Sequence, residues 1–277
     1  MRKYKNAGKI KQINELQGQD DKTSHIVNYF NKVNDKGLVP KGLGMIHRKD
    51  DVDQIKVTGL NLDGIHLEAF AESVHRARYV TKIIIRDCGL SDKEGISIVT
   101  QMNKSLVKHL DLSENSTLSD RFYQQLGEIM RDEMAVLERL EFEDNRIGDQ
   151  TLANLVDDCI ETSRVSFFNV SKNQITDVGA KSIARLIRGC DNLRLLFLHY
   201  NKILGIGGMD IANAVGFSKS LQVLDISYNS ITGTGIKILK DEPPEGEKNA
   251  GKKSPKKALK TDKESGTTGK GFAELFK

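Results

Sequence analysis

The chain has 277 residues, 38% of them hydrophobic and 29% charged, with four prolines, no tryptophan and a formal net charge of +4, a composition that buries a core, is richer in charge than most enzymes and excludes a wholly disordered protein. No eighteen apolar residues follow one another, and the opening MRKYKNAGKIKQINELQGQD is charged with no apolar run behind it, so neither a membrane-spanning helix nor a secretory signal is expected. Residues 1–50 hold eleven basic and five acidic side chains, residues 51–240 twenty-two and twenty-six, and residues 241–277 nine and seven; a mildly acidic body with basic ends argues against a nucleic-acid fold, which carries its positive charge on the structured surface.

In chain order, residues 1–50 form a basic N-terminal segment and cap, with weakly helical stretches at 9–17 and 24–34 and an apolar run at 37–46 that reads as a short strand covering the open edge of the body that begins at residue 51. The alternative for this segment is a basic arm that recruits a partner.

Residues 51–240 repeat. Seven segments share the spacing apolar-x-x-apolar-x-apolar-x-x-Asn/Cys-x-apolar: Val52-Ile55-Val57-Leu60-Leu62, Val80-Ile83-Ile85-Cys88-Leu90, Val107-Leu110-Leu112-Asn115 with Leu118 displaced by one, Leu137-Leu140-Phe142-Asn145-Ile147, Val165-Phe168-Val170-Asn173-Ile175, Leu193-Leu196-Leu198-Asn201-Ile203 and Leu221-Leu224-Ile226-Asn229-Ile231. The Asn/Cys position recurs at intervals of 28, 27, 30, 28, 28 and 28, and seven matches in register are no accident of composition. The alternating apolar pair predicts a short strand with two aliphatics inward and one side chain outward, each strand lying parallel to the next through a right-handed crossover. Where each strand ends, the amide column Asn115, Asn145, Asn173, Asn201 and Asn229 offers donors and an acceptor to backbone groups that would otherwise be unpaired, at about 1–3 kcal/mol each. Cys88 fills that slot as a weak donor, whereas Leu60 cannot hydrogen-bond, which makes the first repeat an atypical cap. After each Asn the text turns to helical period, as in Ala180, Ile183, Ala184 and Ile187 on one face; similar runs at 91–102, 119–130, 149–160 and 208–215 predict helices behind the strands, several opened by Asp, Ser or Thr as N-caps.

From Asp241 the repeat stops, and 241–277 is expected to be a disordered Lys-rich tail. Lys252, Lys253, Lys256 and Lys257 around Ser254-Pro255 resemble both a nuclear import signal and a weak nucleic-acid contact, Ser254 being a phosphosite candidate; the competing reading is a solubilising tail. Phe272, Leu275 and Phe276 give one amphipathic turn that reads as a docking peptide.

Chemistry is sparse. Cys88, Cys159 and Cys190 are too few and too scattered for a disulfide framework or a metal knuckle, which sets a reducing compartment as the default. The six histidines show no metal spacing, no nucleophile or Walker motif occurs, and GTTGKG near the end lacks the strand and the Ser/Thr of a phosphate loop. No catalytic residue, metal, cofactor, small-molecule substrate or membrane contact is expected.

Runs such as LRLLFLHYNKI, LQVLDISYNSITGTGI and DVGAKSIARLIRG resemble the leucine-rich repeat family in its 28-residue, ribonuclease-inhibitor-like form, over residues 52–240. The resemblance implies an α/β solenoid of about seven repeats, a horseshoe with a concave parallel sheet and convex helices, and a role in protein binding. On such a sheet the outward positions carry specificity. They group into an acidic patch, Asp111, Glu114, Glu141, Glu143 and Asp144, and an aromatic patch, Phe197, His199, Tyr200 and Tyr228. Aromatics concentrate interface energy and carboxylates steer a basic partner, so the expected function is a non-enzymatic scaffold or adaptor that binds another protein with a basic surface. The competing reading of these positions is a solvated face with Phe197 packed against Phe167. The expected location is the cytoplasm, with nuclear or ciliary and cytoskeletal alternatives. One alternative function is a GTPase activator of the Ran type, whose members resemble this chain in repeats but have more of them, end in an acidic tail and supply no matched arginine finger. Others are a cytoskeletal or ciliary structural component, as in tropomodulin's terminal domain or dynein regulatory subunits, and a nuclear factor acting through the Lys252 to Lys257 cluster.

Overall fold

The computed structural model describes residues 54–59, 64–75, 80–102, 106–132, 135–231 and 258–260, in two compact units that divide between Val136 and Leu137. The expectations for residues 1–50, for Val52, Leu60 and Leu62, for 232–257 and for 261–277 fall outside the described residues.

In the first unit strands and helices alternate: β1 Gln54–Thr58, α1 Gly64–His75, β2 Lys82–Arg86, α2 Asp92–Met102, β3 His109–Asp111 and α3 Asp120–Arg131. The strands are parallel, with Ile55 beside Ile83, Val57 beside Ile85, and Ile83 beside Leu110. Alternation puts these aliphatics on one side of the sheet, where all are buried with Leu112, against Phe70, Ile98 and Phe122 from the helices. Helix α3 starts where Ser119 caps the Arg121 amide, and it carries Asp120 in its first turn and Arg131 in its last, both favourable to the helix dipole. Helices α2 and α3 pack closely: a Cβ on Gly95 would lie 2.8 Å from both Leu118 and Phe122 side-chain carbons.

The second unit continues the alternation with β4 Arg139–Glu141, α4 Asp149–Thr162, β5 Phe167–Asn169, α5 Asp177–Gly189, β6 Leu195–Phe197, α6 Gly205–Phe217 and β7 Val223–Asp225. Parallel pairing aligns Leu140, Phe168, Leu196 and Leu224 as one buried row, and Glu141, Asn169, Phe197 and Asp225 as a second row. Strand β8, Ala258–Lys260, lies in the stretch expected to be disordered and pairs in parallel with β7, Asp225 opposite Lys260.

A repeating joint links the helix starts. An aspartate in the first turn of one helix accepts from the cap of the next: Asp92 from the Ser119 amide, Asp149 from the Thr176 amide and hydroxyl and the Gly179 amide, and Asp177 from the Leu204 amide. Neighbouring helices must then approach closely. A Cβ on Gly207 would stand 2.5 Å from the Asp177 carboxylate, 2.7 Å from the Ala180 Cβ and 2.9 Å from the Asp177 Cα, so glycine is required there by space rather than by backbone angle. Asp149 and Asp177, expected as N-caps, stand instead in the first turn of their own helices, whose N-cap positions are Gly148 and Thr176, and accept from the start of the following repeat's helix. Among the described residues no helix is long and apolar enough to cross a membrane.

Candidate functional site

The end of each strand is built by three side-chain columns. The buried amide column comes first. Asn173 accepts from the Asn145 and Ile147 amides and donates to the Phe142 and Ser171 carbonyls. Asn201 and Asn229 repeat the pattern toward Ile175 and Ile203 and toward Val170 and Leu198. In the first unit Asn115 accepts from Cys88 and Leu90 and donates to Ile85. Cys88 keeps only the donor half: its Sγ lies 3.2 Å from the Arg86 carbonyl and 3.8 Å from that of Val57. Asn145 is buried in the same position of its repeat.

The second column is the last residue of the strand. Asp111, Asn169 and Asp225 each accept the amide two residues on, from Ser113, Ser171 and Ser227. These are Asx turns, which bend the chain off the sheet. The third column is the residue just before each amide, before Cys88 and before Leu60, which lies in the left-handed region: Gly59, Asp87, Glu114, Asp144, Lys172, Tyr200 and Tyr228 have φ between 50° and 65°. The amides of Gly59, Asp87, Asp144, Lys172 and Tyr200 donate to the next repeat, Tyr200 to the Ser227 carbonyl at 3.0 Å.

This architecture divides the expected site residues. In the first unit Asp111 is 1% exposed and ion-paired with Arg86, while Glu114 stands exposed on its turn. In the second unit Glu141 is 6% exposed and bound by the Arg139 guanidinium at 2.8 Å, which also lies 3.3 Å over the Phe167 ring. Phe197 is half-buried against Phe167, with ring centres 5.1 Å apart. Asp111 and Glu141 are therefore committed to folding contacts, and Glu143, Asp144, His199, Tyr200 and Tyr228 remain accessible on the second unit.

Glu143, His199, Tyr200 and Tyr228 form one assembly. The Tyr200 and Tyr228 rings stack 4.0 Å apart at 5°, and are 48% and 43% exposed. His199 meets the Tyr200 ring edge-on at 5.8 Å. Its Nδ1 shares a 2.8 Å hydrogen bond with the Ser171 hydroxyl and lies 3.7 Å from the Asp225 carboxylate, and its Nε2 lies 3.9 Å from Glu143. Burial alone would raise the Glu143 carboxyl; the Lys172 ammonium at 2.8 Å, the Asn169 amide and His199 outweigh it and hold the group below its ordinary value, so it is anionic at neutral pH. Ser171, Lys172, Asn169 and Asp225 were not among the expected site residues. The spacing Asp/Asn-x-Ser at 111–113, 169–171 and 225–227 is the signal that separates the turn-forming members from the displayed ones.

Residues 166–184 and 217–239 match the leucine-rich repeat family model. A solved structure titled leiomodin-1 actin-binding site 2 is similar with a TM-score of 0.41 and 16% identity, over 50% of this chain and 78% of that one. No curated protein matches the sequence. Parallel strands alternating with helices in both units, with two stretches of the second matching this family model, fit an α/β leucine-rich repeat solenoid.

Proposed function

We propose that this leucine-rich repeat protein is an interaction scaffold of the 28-residue, ribonuclease-inhibitor-like kind, and that the strand face of its second unit binds a protein through a basic segment. The observation that carries the reading is the stacked Tyr200–Tyr228 pair, exposed on turns with φ of 54° and 55°. The same turn carries Asp87, Glu114, Asp144 and Lys172 in the other repeats, so the left-handed backbone belongs to the repeat and the tyrosines are what is particular to this place. Two tyrosine rings give rigid contact area at low entropy cost and accept the stem of a lysine or arginine, whose charge then meets Glu143 and Asp144. The subclass reading rests on the recurring interval of 28 residues between Asn145, Asn173, Asn201 and Asn229.

Affinity capture with mass spectrometry tests the proposal, comparing the full chain with the Tyr200→Ala/Tyr228→Ala double variant. Loss of the captured proteins from the variant, and weaker capture at raised salt, is the expected outcome. An unchanged set of captured proteins defeats the aromatic anchor.

A further inference from the structure

The tyrosine pair also carries a chemistry that needs no binding partner. Tyr200 and Tyr228 each stand just past a strand, β6 ending at Phe197 and β7 at Asp225, on turns of the same left-handed geometry, with φ of 54° and 55°. The Tyr200 amide donates to the Ser227 carbonyl at 3.0 Å, which ties one turn to the other. The two side chains therefore leave matching points of neighbouring parallel repeats, about 4.8 Å apart, in the same direction. Their rings lie 4.0 Å apart at 5°. Aromatic pairs free to choose settle at about 4.5–7 Å, offset or edge-on, so the turns rather than ring attraction set this spacing. Rings that leave the backbone in the same direction and lie face to face bring the ortho carbons of one phenol over those of the other.

Two phenoxyl radicals join from that geometry. The chain has no tryptophan, and Cys88, Cys159 and Cys190 are buried, so the sites that would compete for a one-electron oxidant are absent or shielded. Tyr200 and Tyr228 are half-exposed, whereas Tyr123 is buried; Tyr4, Tyr29 and Tyr79 lie outside the described residues. We propose that Tyr200 and Tyr228 are an oxidative crosslinking site, coupled to dityrosine by a peroxidase-type haem oxidant that consumes hydrogen peroxide. Each phenol O–H gives one electron to the oxidised haem and one proton to water, and the two radicals form a single ortho-to-ortho C–C bond. The two ring hydrogens at that bond leave as protons while the two oxygens take protons back, which restores both phenols. Two electrons and two protons leave the protein, and one peroxide becomes two waters. Because the rings are already in contact, coupling within the chain outpaces coupling between chains. The product is a covalent staple between the turns after β6 and β7.

A haem peroxidase and hydrogen peroxide, applied to the full chain before trypsin digestion and mass spectrometry, test this. The expected product keeps the mass of a single chain. It joins LLFLHYNK, residues 195–202, to SLQVLDISYNSITGTGIK, residues 220–237, and is two hydrogens lighter than the sum of the separate peptides. Dilution of the protein should leave its yield unchanged. Tyr200→Phe and Tyr228→Phe keep both rings, and each should lose the product entirely. Coupling mainly between chains, a crosslink through Tyr4, Tyr29 or Tyr79 in place of this one, its persistence in either Phe variant, or consumption of peroxide with no crosslink overturns the proposal. No readout involves capture of a partner, so this proposal and the binding surface stand or fall separately.

Discussion

Replacing Asn173 with alanine removes four hydrogen bonds at one stroke, two accepted from the Asn145 and Ile147 amides and two donated to the Phe142 and Ser171 carbonyls, all at 2.8 to 3.1 Å. The Ser171 carbonyl still accepts from the Asp144 amide, so its loss is partial. Two amides lose their buried acceptor at about 1–3 kcal/mol each, and with the weakened Phe142 carbonyl this gives a destabilisation of roughly 3–5 kcal/mol, large for a single substitution. Asn173→Asp keeps both acceptors but turns a carboxylate oxygen toward two carbonyls and should be no milder. Asn173→Cys should be milder than alanine, because Cys88 shows that a thiol in this slot still donates to the carbonyls two residues and one repeat back. Native-state hydrogen exchange of the Asn145 and Ile147 amides reads the effect locally, and urea unfolding reads it globally. A cost for alanine below about 1 kcal/mol, less than the penalty for even one orphaned amide, or a cysteine variant as damaged as the alanine one, contradicts this role for the Asn173 amide.

Gly207→Ala should destabilise by about 1–3 kcal/mol despite alanine's better helix propensity, because the new methyl meets the Asp177 Cα and the Ala180 Cβ inside contact distance. Gly216→Ala, in the same helix with nothing within 4 Å, should instead stabilise by up to about 1 kcal/mol, and paired urea melts compare the two signs. Because the folded-state Glu143 carboxyl is held below its unfolded value, its contribution is present above the unfolded value and lost as pH falls through the folded one. Acid titration of stability should therefore show a smaller loss in Glu143→Gln than in the parent. Burial pushes the Cys159 thiol well up and the Cys190 thiol up, so both should resist a thiol reagent at neutral pH until urea unfolds the second unit; rapid labelling of the native protein contradicts their placement.

The inward rows were legible from spacing alone. Ile55, Ile83 and Leu110, or Leu140, Phe168, Leu196 and Leu224, recur at the repeat interval with a partner two residues on, and alternation along a strand is a local property that composition cannot disguise. The outward positions were not legible in that way. Asp111 and Glu114 stand three residues apart on one repeat, yet the first is turned back to a backbone amide and an arginine while the second faces water. Phe197 is half-hidden by Phe167, from the strand before it, whereas Tyr200 and Tyr228 meet ring to ring across 28 residues.

A sequence by itself determines which side chains alternate and how often the pattern returns, because those depend on neighbours one to four residues away. What a strand displays is decided by the stack. The partners that bury Asp111, pair Asp149 with Thr176, or set His199 between Ser171 and Asp225 come from adjoining repeats 25 to 28 residues away, Glu143 comes from two repeats before His199, and only parallel packing of one repeat on the next brings them together.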